Sequence, residues 1–153
     1  MKSLSVKDLT VDFKTKNGIL TAISDLSFEI NKGETICLVG ESGSGKSITS
    51  KAIMRLIEYE NGTIANGQIV FNDEDLVLVA NKRLNRIRGR KISMIFQDPL
   101  SAFDPVYTIG YQLTETMVQH LNVTKKEAWQ KGIQLLRRVG ISEPGNTDEA
   151  ISK

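Results

Sequence analysis

The residues best suited to chemistry in this sequence of 153 residues lie in one short segment, residues 40–47, which reads GESGSGKS. A first glycine is followed five, six and seven positions later by glycine, lysine and serine, the pattern G-x-x-x-x-G-K-[ST]. Gly43 and Gly45 let the backbone curl so that successive N–H groups point at one anion, and the helix expected after the loop adds its dipole. The segment therefore predicts a site for the phosphates of a nucleotide.

Two side chains at the end of this loop supply charge and a metal ligand. The ammonium of Lys46 can reach the β- and γ-phosphates of a nucleoside triphosphate, and the hydroxyl of Ser47 can ligate Mg²⁺. A glycine- and serine-rich connection without a ligand is the alternative, which the Lys-Ser pair after the last glycine disfavours. The predicted nucleotide contacts are Gly40, Glu41, Ser42, Gly43, Ser44, Gly45, Lys46, Ser47 and Ile48.

The elements on either side of the loop are predicted as a strand and a helix. The apolar run at residues 35–39 predicts a buried strand in which Cys37 is a small core residue. Residues 47–57 carry apolar side chains at helical spacing. Further strands are predicted at residues 4–13 and 19–30, which have antiparallel character and a turn at Asn17-Gly18, and at residues 68–71 and 92–96.

Two helices with one apolar face each are predicted in the last third of the sequence. The second begins at Thr124 as N-cap, with Glu127 completing a capping box, and stops at Gly140. Both apolar faces are expected to pack into a core. The first consists of Ile109, Leu113, Met117 and Leu121, and the second of Trp129, Ile133, Leu136 and Val139.

The composition, with 40% hydrophobic residues, 25% charged residues and a net charge of +2, is that of a soluble globular domain. No apolar run approaches the roughly 20 residues of a membrane span, and the charged N-terminus does not resemble a signal peptide. One cysteine predicts no disulfide and favours a reducing cytoplasm. Six basic residues between Lys82 and Lys91 are interpreted as a solvated helix and turn rather than a nucleic-acid or lipid-headgroup patch, since no aromatic residue is interleaved to stack bases.

Three stretches carry a resemblance to a known family. They are residues 33–35, residues 38–47, which include the phosphate loop, and residues 87–99, which read IRGRKISMIFQDP. On these stretches the sequence resembles the ATPase subunit of an ABC transporter. The third stretch, together with the Glu-Ser pair inside the loop and Asp104-Pro105 beyond it, narrows the resemblance to importers of the oligopeptide and dipeptide (Opp/Dpp) type.

The resemblance covers residues 4–143 and implies an α/β fold. This fold is a P-loop NTPase core with an N-terminal antiparallel β-subdomain and the start of a helical subdomain. The β-subdomain and phosphate loop are expected at about residues 1–97, and the glutamine loop and helical subdomain at about 97–143. Residues 144–153 are an atypical tail. The ligands implied are ATP and Mg²⁺.

The resemblance assigns roles to two further residues. Phe13 corresponds to the aromatic residue that stacks on adenine, and a core residue at a strand end is the alternative. Gln97 corresponds to the glutamine that completes Mg²⁺ coordination, senses the attacking water and couples to the membrane subunits, and a mere strand terminus is the alternative. Lys46 and Gln97 are the catalytic residues that the resemblance implies, and Ser47 and Gln97 are the metal ligands.

The partners implied by the resemblance are membrane-embedded permease subunits and a second ATPase subunit. The segment from Asp98 to Gln112 is expected to receive a short permease helix, and no nucleic acid is expected. The implied location is cytoplasmic, at the inner face of the cell membrane. The apolar residues crowded into the expected docking segment are Leu100, Phe103, Val106, Tyr107 and Ile109.

Three features of the family are missing from these 153 residues. The sequence has no Leu-Ser-Gly-Gly signature segment, no second strand end that supplies Asp and Glu, and no later switch histidine. The acidic end of residues 69–75 comes too early and is expected to belong to a β-hairpin, Asp98 belongs to the glutamine loop, and His120 lies on a helix face. We therefore expect an N-terminal fragment that does not hydrolyse ATP on its own.

Three functions are compatible with these residues. The favoured interpretation is the energy-coupling ATPase subunit of a peptide importer. The second is a nucleotide-binding remnant without turnover, either inert or regulatory. A P-loop small-molecule kinase is the third, and the two strands before residue 33 and the Gln-Asp-Pro segment speak against it. The transported solute, whether peptide, nickel or another, is left open.

Overall fold

The structure, a computed structural model, describes residues 2–98 and 103–142. The chain divides after Ile92 into two compact units, which are described separately. The sequence analysis predicted the boundary near residue 97.

The first unit is built on a four-stranded antiparallel sheet. Its strands are β1 (Lys2–Thr15), β2 (Gly18–Asn31), β3 (Gly62–Phe71) and β4 (Glu74–Asp75), in the order β2-β1-β3-β4. The strands predicted at residues 4–13, 19–30 and 68–71 are thus confirmed, and the predicted hairpin turn is present, with Gly18 at a φ of 118°. β4 folds back on the end of β3, so the acidic run that follows β3 lies in a β-hairpin as expected.

Strand β1 supplies four of the eleven buried core residues of this unit, more than any other element. Alternate residues of a strand point to one face, which is why the buried positions of β1 are largely spaced by two. The core is completed by one residue each from β2 and β3, by the helical segments and by the loop after β4. The buried core residues are Leu4, Val6, Leu9, Val11, Ile23, Ala52, Ile57, Ile69, Leu76, Leu84 and Ile87.

Strand β1 is irregular near Asp8, where its register against β3 shifts between Lys7 and Thr10. Asp8 has a positive φ of 48°. Opposite this irregularity lies Gly67, with a φ of 101°, and a Cβ at Gly67 would lie 2.5 Å from the carbonyl oxygen of Lys7 and 2.6 Å from that of Asp8. The close approach of the two backbones therefore requires glycine at position 67.

The helix predicted at residues 47–57 is interrupted. It forms α1 (Lys46–Ile53), breaks at Met54 and Arg55, and continues as a 3₁₀ helix (Leu56–Glu60). Arg55 has a left-handed backbone conformation with a φ of 52°. From there its guanidinium reaches the carbonyl of Val79 at 2.8 Å and Glu58 at 2.7 Å, which offsets the cost of the break.

The basic segment forms α2 (Asn81–Ile87) and a turn. Its apolar side, Leu84 and Ile87, is buried, and its cations are largely exposed, as predicted. Arg83 donates two hydrogen bonds of 2.8 Å to the carboxylate of Glu74. These bonds hold the pKa of Glu74 below its ordinary value.

Two predicted strands, at residues 35–39 and 92–96, are wrong. Both segments lack strand structure apart from a single bridge between Arg88 and Ile92, and their side chains are largely exposed. Val39 is 90% exposed and Ile95 94%, and Cys37 is exposed rather than a core residue. A buried parallel strand requires neighbours that satisfy its backbone, and no described strand pairs with either segment.

The second unit contains a pair of helices, α3 (Ile109–Leu121) and α4 (Lys125–Arg138), which confirms both predicted helices. The capping box at Thr124 and Glu127 is also confirmed, because the Thr124 hydroxyl accepts from the Glu127 N–H and the Glu127 carboxylate accepts from the Thr124 N–H. These bonds hold the pKa of the Glu127 carboxyl below its ordinary value.

The predicted apolar stripes are only partly buried. On α4 the buried residues are Ala128 and Gly132, whereas Trp129 and Val139 are exposed. On α3 Met117 is buried and Leu121 is exposed. Small residues allow the closest approach between packed helices, so the contact centres on them, and the bulky side chains flank it. No helix in the described part of the chain is long and apolar enough to cross a membrane.

Candidate nucleotide-binding site

The phosphate loop has the backbone geometry that its glycines predict. Gly43 and Gly45 have φ values of 85° and 89°, a region that residues with a side chain rarely adopt. The loop is closed by a hydrogen bond from the Ser44 N–H to the carbonyl of Glu41. Gly40 faces Ser44 so closely that a Cβ would lie 2.7 Å from its hydroxyl oxygen. The loop is therefore a tight curl in which the backbone conformation favours glycine at positions 43 and 45, and the approach of Ser44 leaves little room for a side chain at position 40.

Lys46 is the first residue of α1, and its side chain turns back over the loop. Its ammonium donates to the carbonyl oxygens of Gly40 (2.7 Å) and Glu41 (2.6 Å) and to the hydroxyl of Ser44 (3.1 Å). A lysine ammonium has three protons to donate, so all three are directed at the loop. The positive charge is thus held where an anion cradled by the loop would lie.

The start of α1 is fixed by a residue that the sequence analysis did not single out. Thr49 is buried, and both its N–H (2.8 Å) and its hydroxyl (2.9 Å) donate to the carbonyl of Gly45. Ser47 is exposed. The sequence could have predicted this contact, because the hydroxyl of a threonine four positions after the last loop glycine can donate to the carbonyl one helical turn earlier.

The loop is anchored to the sheet through β2. A Cβ on Gly45 would lie 3.2 Å from the carbonyl oxygen of Ala22 and 3.3 Å from the side chain of Ile23, so the loop and β2 are in close contact. A cleft of about 310 Å³ opens beside this contact. It is lined by Ala22, Ile23, Ser24, Leu26, Leu38, Val39, Ser44, Lys46 and Thr49. The β2 residues in this lining carry no sequence motif and were missed.

Phe13 is placed at the end of β1, where it is half-buried and packs against the core. A Cβ on Gly62 would lie 2.8 Å from Cε1 of Phe13, so the ring covers this glycine. Among the described residues, the lining of the cleft beside the loop does not include Phe13. Its contact with adenine stays a prediction.

Gln97 lies in the second unit, where it is an exposed residue in a bend. The described residues that follow it, 98 and 103–108, are exposed as well, including Phe103, Val106 and Tyr107. The rings of Tyr107 and Tyr111 stack with their centroids 5.0 Å apart. Leu100 lies outside the described residues.

The residues at the loop fit a nucleotide with a divalent cation. A tight curl of backbone at a helix N-terminus offers N–H donors and partial positive charge to phosphate oxygens. Lys46 adds a full positive charge beside that curl. Ser47, exposed at the second position of α1, presents an oxygen of the kind that Mg²⁺ prefers.

The fold of this chain is similar to those of solved ATP-binding cassettes. The fold matches the dimeric ATP-binding cassette MJ0796, solved in a post-hydrolysis state bound to ADP and Pi, with a TM-score of 0.73 at 19% identity over 92% of this chain and 58% of that one. Another structure of the MJ0796 dimer, described as a bacterial ABC transporter cassette, matches with a TM-score of 0.76 at 21% identity.

Relatives found by sequence comparison share a larger fraction of identical residues with this chain than these structures do. The oligopeptide transport ATP-binding protein OppD of Bacillus subtilis is 45% identical over 92% of this chain and 39% of its own length. The dipeptide transport ATP-binding protein DppD of Bacillus subtilis is 44% identical, over 94% of this chain and 43% of its own length. OppD of Escherichia coli is 43% identical, over 92% and 41%. The chain spans about two fifths of the length of these curated relatives.

The family itself is established by a match over most of the chain. The sequence profile of the ABC transporter family matches residues 23–152, which include the phosphate loop, Gln97 and both helices of the second unit. With this match, the phosphate loop and the cassette fold, the chain belongs to the ABC transporter family of ATP-binding domains.

Proposed function

We propose that this chain binds ATP with Mg²⁺ at residues 40–47 and acts as an energy-coupling part of an ABC importer for oligopeptides or dipeptides. The observation that carries the proposal is the position of the Lys46 ammonium, held over a tight glycine loop at the start of a helix. The relatives named for oligopeptide and dipeptide transport support the substrate class. Their family also supports a position at the inner face of the membrane, beside permease subunits and a second ATPase subunit.

The loop residues perform the binding in this proposal. Lys46 neutralises charge on the terminal phosphates by exchanging its loop acceptors for phosphate oxygens, and the backbone N–H groups of the loop hold the remaining oxygens. Mg²⁺ would be held by Ser47 and Gln97 and would offset charge on the phosphates. Phe13 is proposed to stack on adenine, because stacking needs only one free face of its ring.

Titration of the chain with a fluorescent ATP analogue in the presence of Mg²⁺ tests the proposal. Saturable binding that is displaced by ATP and by ADP, but not by adenosine, is expected because the phosphates make the main contacts. Absence of saturable binding at millimolar nucleotide would contradict the proposed function.

We expect the 153-residue chain on its own to bind ATP with little or no turnover. In-line attack on the γ-phosphoryl group requires a positioned water and charge stabilisation around the phosphate. Lys46, Ser47 and Gln97 supply part of that arrangement. A phosphate-release assay should give a rate close to that of the buffer, whereas steady turnover that disappears in Lys46→Ala would show that the chain is an active ATPase.

The docking surface for the permease is proposed at residues 98–112. The described part of this segment exposes large apolar side chains, of which Val106 is 81% exposed, on a stretch with little regular structure before α3. The alternative, in which these residues form a core beneath the helix, does not agree with the exposure of Phe103, Val106 and Tyr107. Exposed apolar groups of this size are typical of a protein-binding surface.

Hydrogen exchange measured on the free chain checks this surface. Backbone amides of residues 103–108 should exchange among the fastest of the internal segments, because they are exposed and precede the first turn of α3. The central strand β1 serves as the slow reference, since it pairs on both sides. Protection of residues 103–108 equal to that of β1 would mean that the segment is core and that the docking surface is elsewhere.

A further inference from the structure

Arg88, in the turn after α2, makes an unusual set of contacts with the far end of α1. Its Nε and Nη2 both donate to the carbonyl oxygen of Met54, at 2.8 Å and 2.5 Å. Its guanidinium carbon lies 5.8 Å from the centroid of the Tyr59 ring, and Nη1 is 3.4 Å from the Tyr59 hydroxyl and from the side-chain oxygen of Asn85. The three nitrogens of the guanidinium and one of its planar faces therefore contact one small group of residues.

The acceptor is the residue that ends α1. Met54 is the C-cap of this helix, and its own N–H bonds to the carbonyl of Ala52. Carbonyl groups at a helix C-terminus lack partners within the helix and carry partial negative charge. A guanidinium that donates twice to such a carbonyl makes a charge-assisted contact of the stronger kind.

Arg88 is itself held in place. Its N–H donates to the carbonyl of Leu84 at 2.9 Å, and Leu84 and Ile87 are each 1% exposed. The turn that follows is closed by a hydrogen bond from the Gly89 N–H to the carbonyl of Ile92. The backbone of Arg88 is thus held by buried residues of α2, and this restricts the positions that its guanidinium can take.

The two ends of α1 therefore make different contacts. The helix is eight residues long, about 12 Å, with the phosphate loop and Lys46 at its N-terminus and the Arg88 contact at its C-terminus. A short helix held at one end moves as a rigid rod, so the fixed end sets the position of the other. We infer that Arg88 is a positioning residue for the phosphate loop, holding the C-terminal end of α1 so that the loop meets the phosphates at the right depth.

This inference rests on the proposed nucleotide binding and is tested with the same fluorescent ATP analogue on the full chain. Arg88→Ala should weaken affinity about ten-fold per folded molecule, the effect of losing one charged hydrogen-bonded contact. Arg88→Lys keeps the charge but can donate to Met54 from one point only, so about a three-fold loss is expected. Addition of methylguanidinium to Arg88→Ala should restore most of the lost affinity, because the small cation can occupy the site that the side chain leaves.

The matched control is Arg83→Ala, which removes a guanidinium five residues earlier whose partner is Glu74 rather than α1. It should bind as the unchanged chain does. Unfolding midpoints are measured for every variant, so that affinity can be expressed per folded molecule. If Arg88→Ala lowers the midpoint but leaves the affinity of the folded molecules unchanged, Arg88 has only a structural role and the inference is overturned. If Arg88→Ala does not fold, Arg88→Lys decides, and affinity equal to that of the unchanged chain overturns it. Failure of the unchanged chain to bind nucleotide overturns the proposed function instead.

Discussion

Lys46→Ala is expected to reduce the affinity for ATP by at least about a hundred-fold, the largest effect on binding that we predict. The substitution removes the full positive charge above the loop and its charge-assisted hydrogen bonds, which contribute about 1.5–3 kcal/mol each. The fold should survive, because the Lys46 ammonium bonds only to the loop itself, at Gly40, Glu41 and Ser44. Titration with the fluorescent ATP analogue measures the effect.

Lys51→Ala is the matched control for this experiment. Lys51 lies on the same helix, and its ammonium pairs with Glu60 at 2.6 Å instead of with the loop. An exposed ion pair of this kind contributes little to stability, and its loss should leave nucleotide affinity unchanged. Equal affinity of Lys46→Ala and the unchanged chain would mean that residues 40–47 do not bind phosphate.

Gly67→Ala is expected to produce the largest loss of stability among the substitutions considered, about 3 kcal/mol or more for the first unit. A side chain at a positive φ costs about 1–2 kcal/mol, and the overlap of the new Cβ with the backbone of Lys7 and Asp8 adds about 1–3 kcal/mol. Lys7 pairs with Gln68 of β3, and the carbonyl of Asp8 accepts a hydrogen bond from the side chain of Asn66, so moving either carbonyl disturbs the contact between the two strands.

The control is Gly33→Ala, which also has a positive φ, of 80°, but no atom within 4 Å of the new Cβ. It should cost only the conformational part, about 1 kcal/mol. Hydrogen exchange of β1 amides gives both values, because it reports directly on the opening of the sheet. Equal losses in the two variants would show that the backbone of residues 7 and 8 yields to a methyl group.

The sequence predicted those elements whose stability is specified by nearby residues. The β1–β2 hairpin has a turn signal at Asn17-Gly18, and α4 has a capping box at Thr124 and Glu127, and both are present. Residues 35–39 and 92–96 have an equally clear apolar pattern, but a parallel strand depends on distant partners that the pattern does not identify. The break in α1 was also unpredictable, since it depends on carbonyl groups more than twenty residues from Arg55.

In the candidate site, too, the features specified by neighbouring residues were predicted, and those that depend on distant residues were not. The loop was predictable because all of its groups are contiguous and the positive φ of Gly43 and Gly45 explains why glycine stands at these positions. The contact between Gly45 and Ala22, and the clamp of Arg88 on Met54, join segments twenty or more residues apart and have no local signal. For Phe13 the sequence offered adenine stacking or packing, and the structure adds its contact with Gly62.

The position of the phosphate loop between β2 and β3 has a consequence for the order of folding. Residues 32–61 connect these strands, so the whole loop and α1 lie within a closed chain of thirty residues. The β1–β2 hairpin closes through a turn of two residues and forms quickly, whereas docking β3 against β1 carries a length-dependent entropy of about 3 kcal/mol. We expect substitutions in this connection to leave the rate of hairpin formation unchanged and to act on the later step, in which β3 docks.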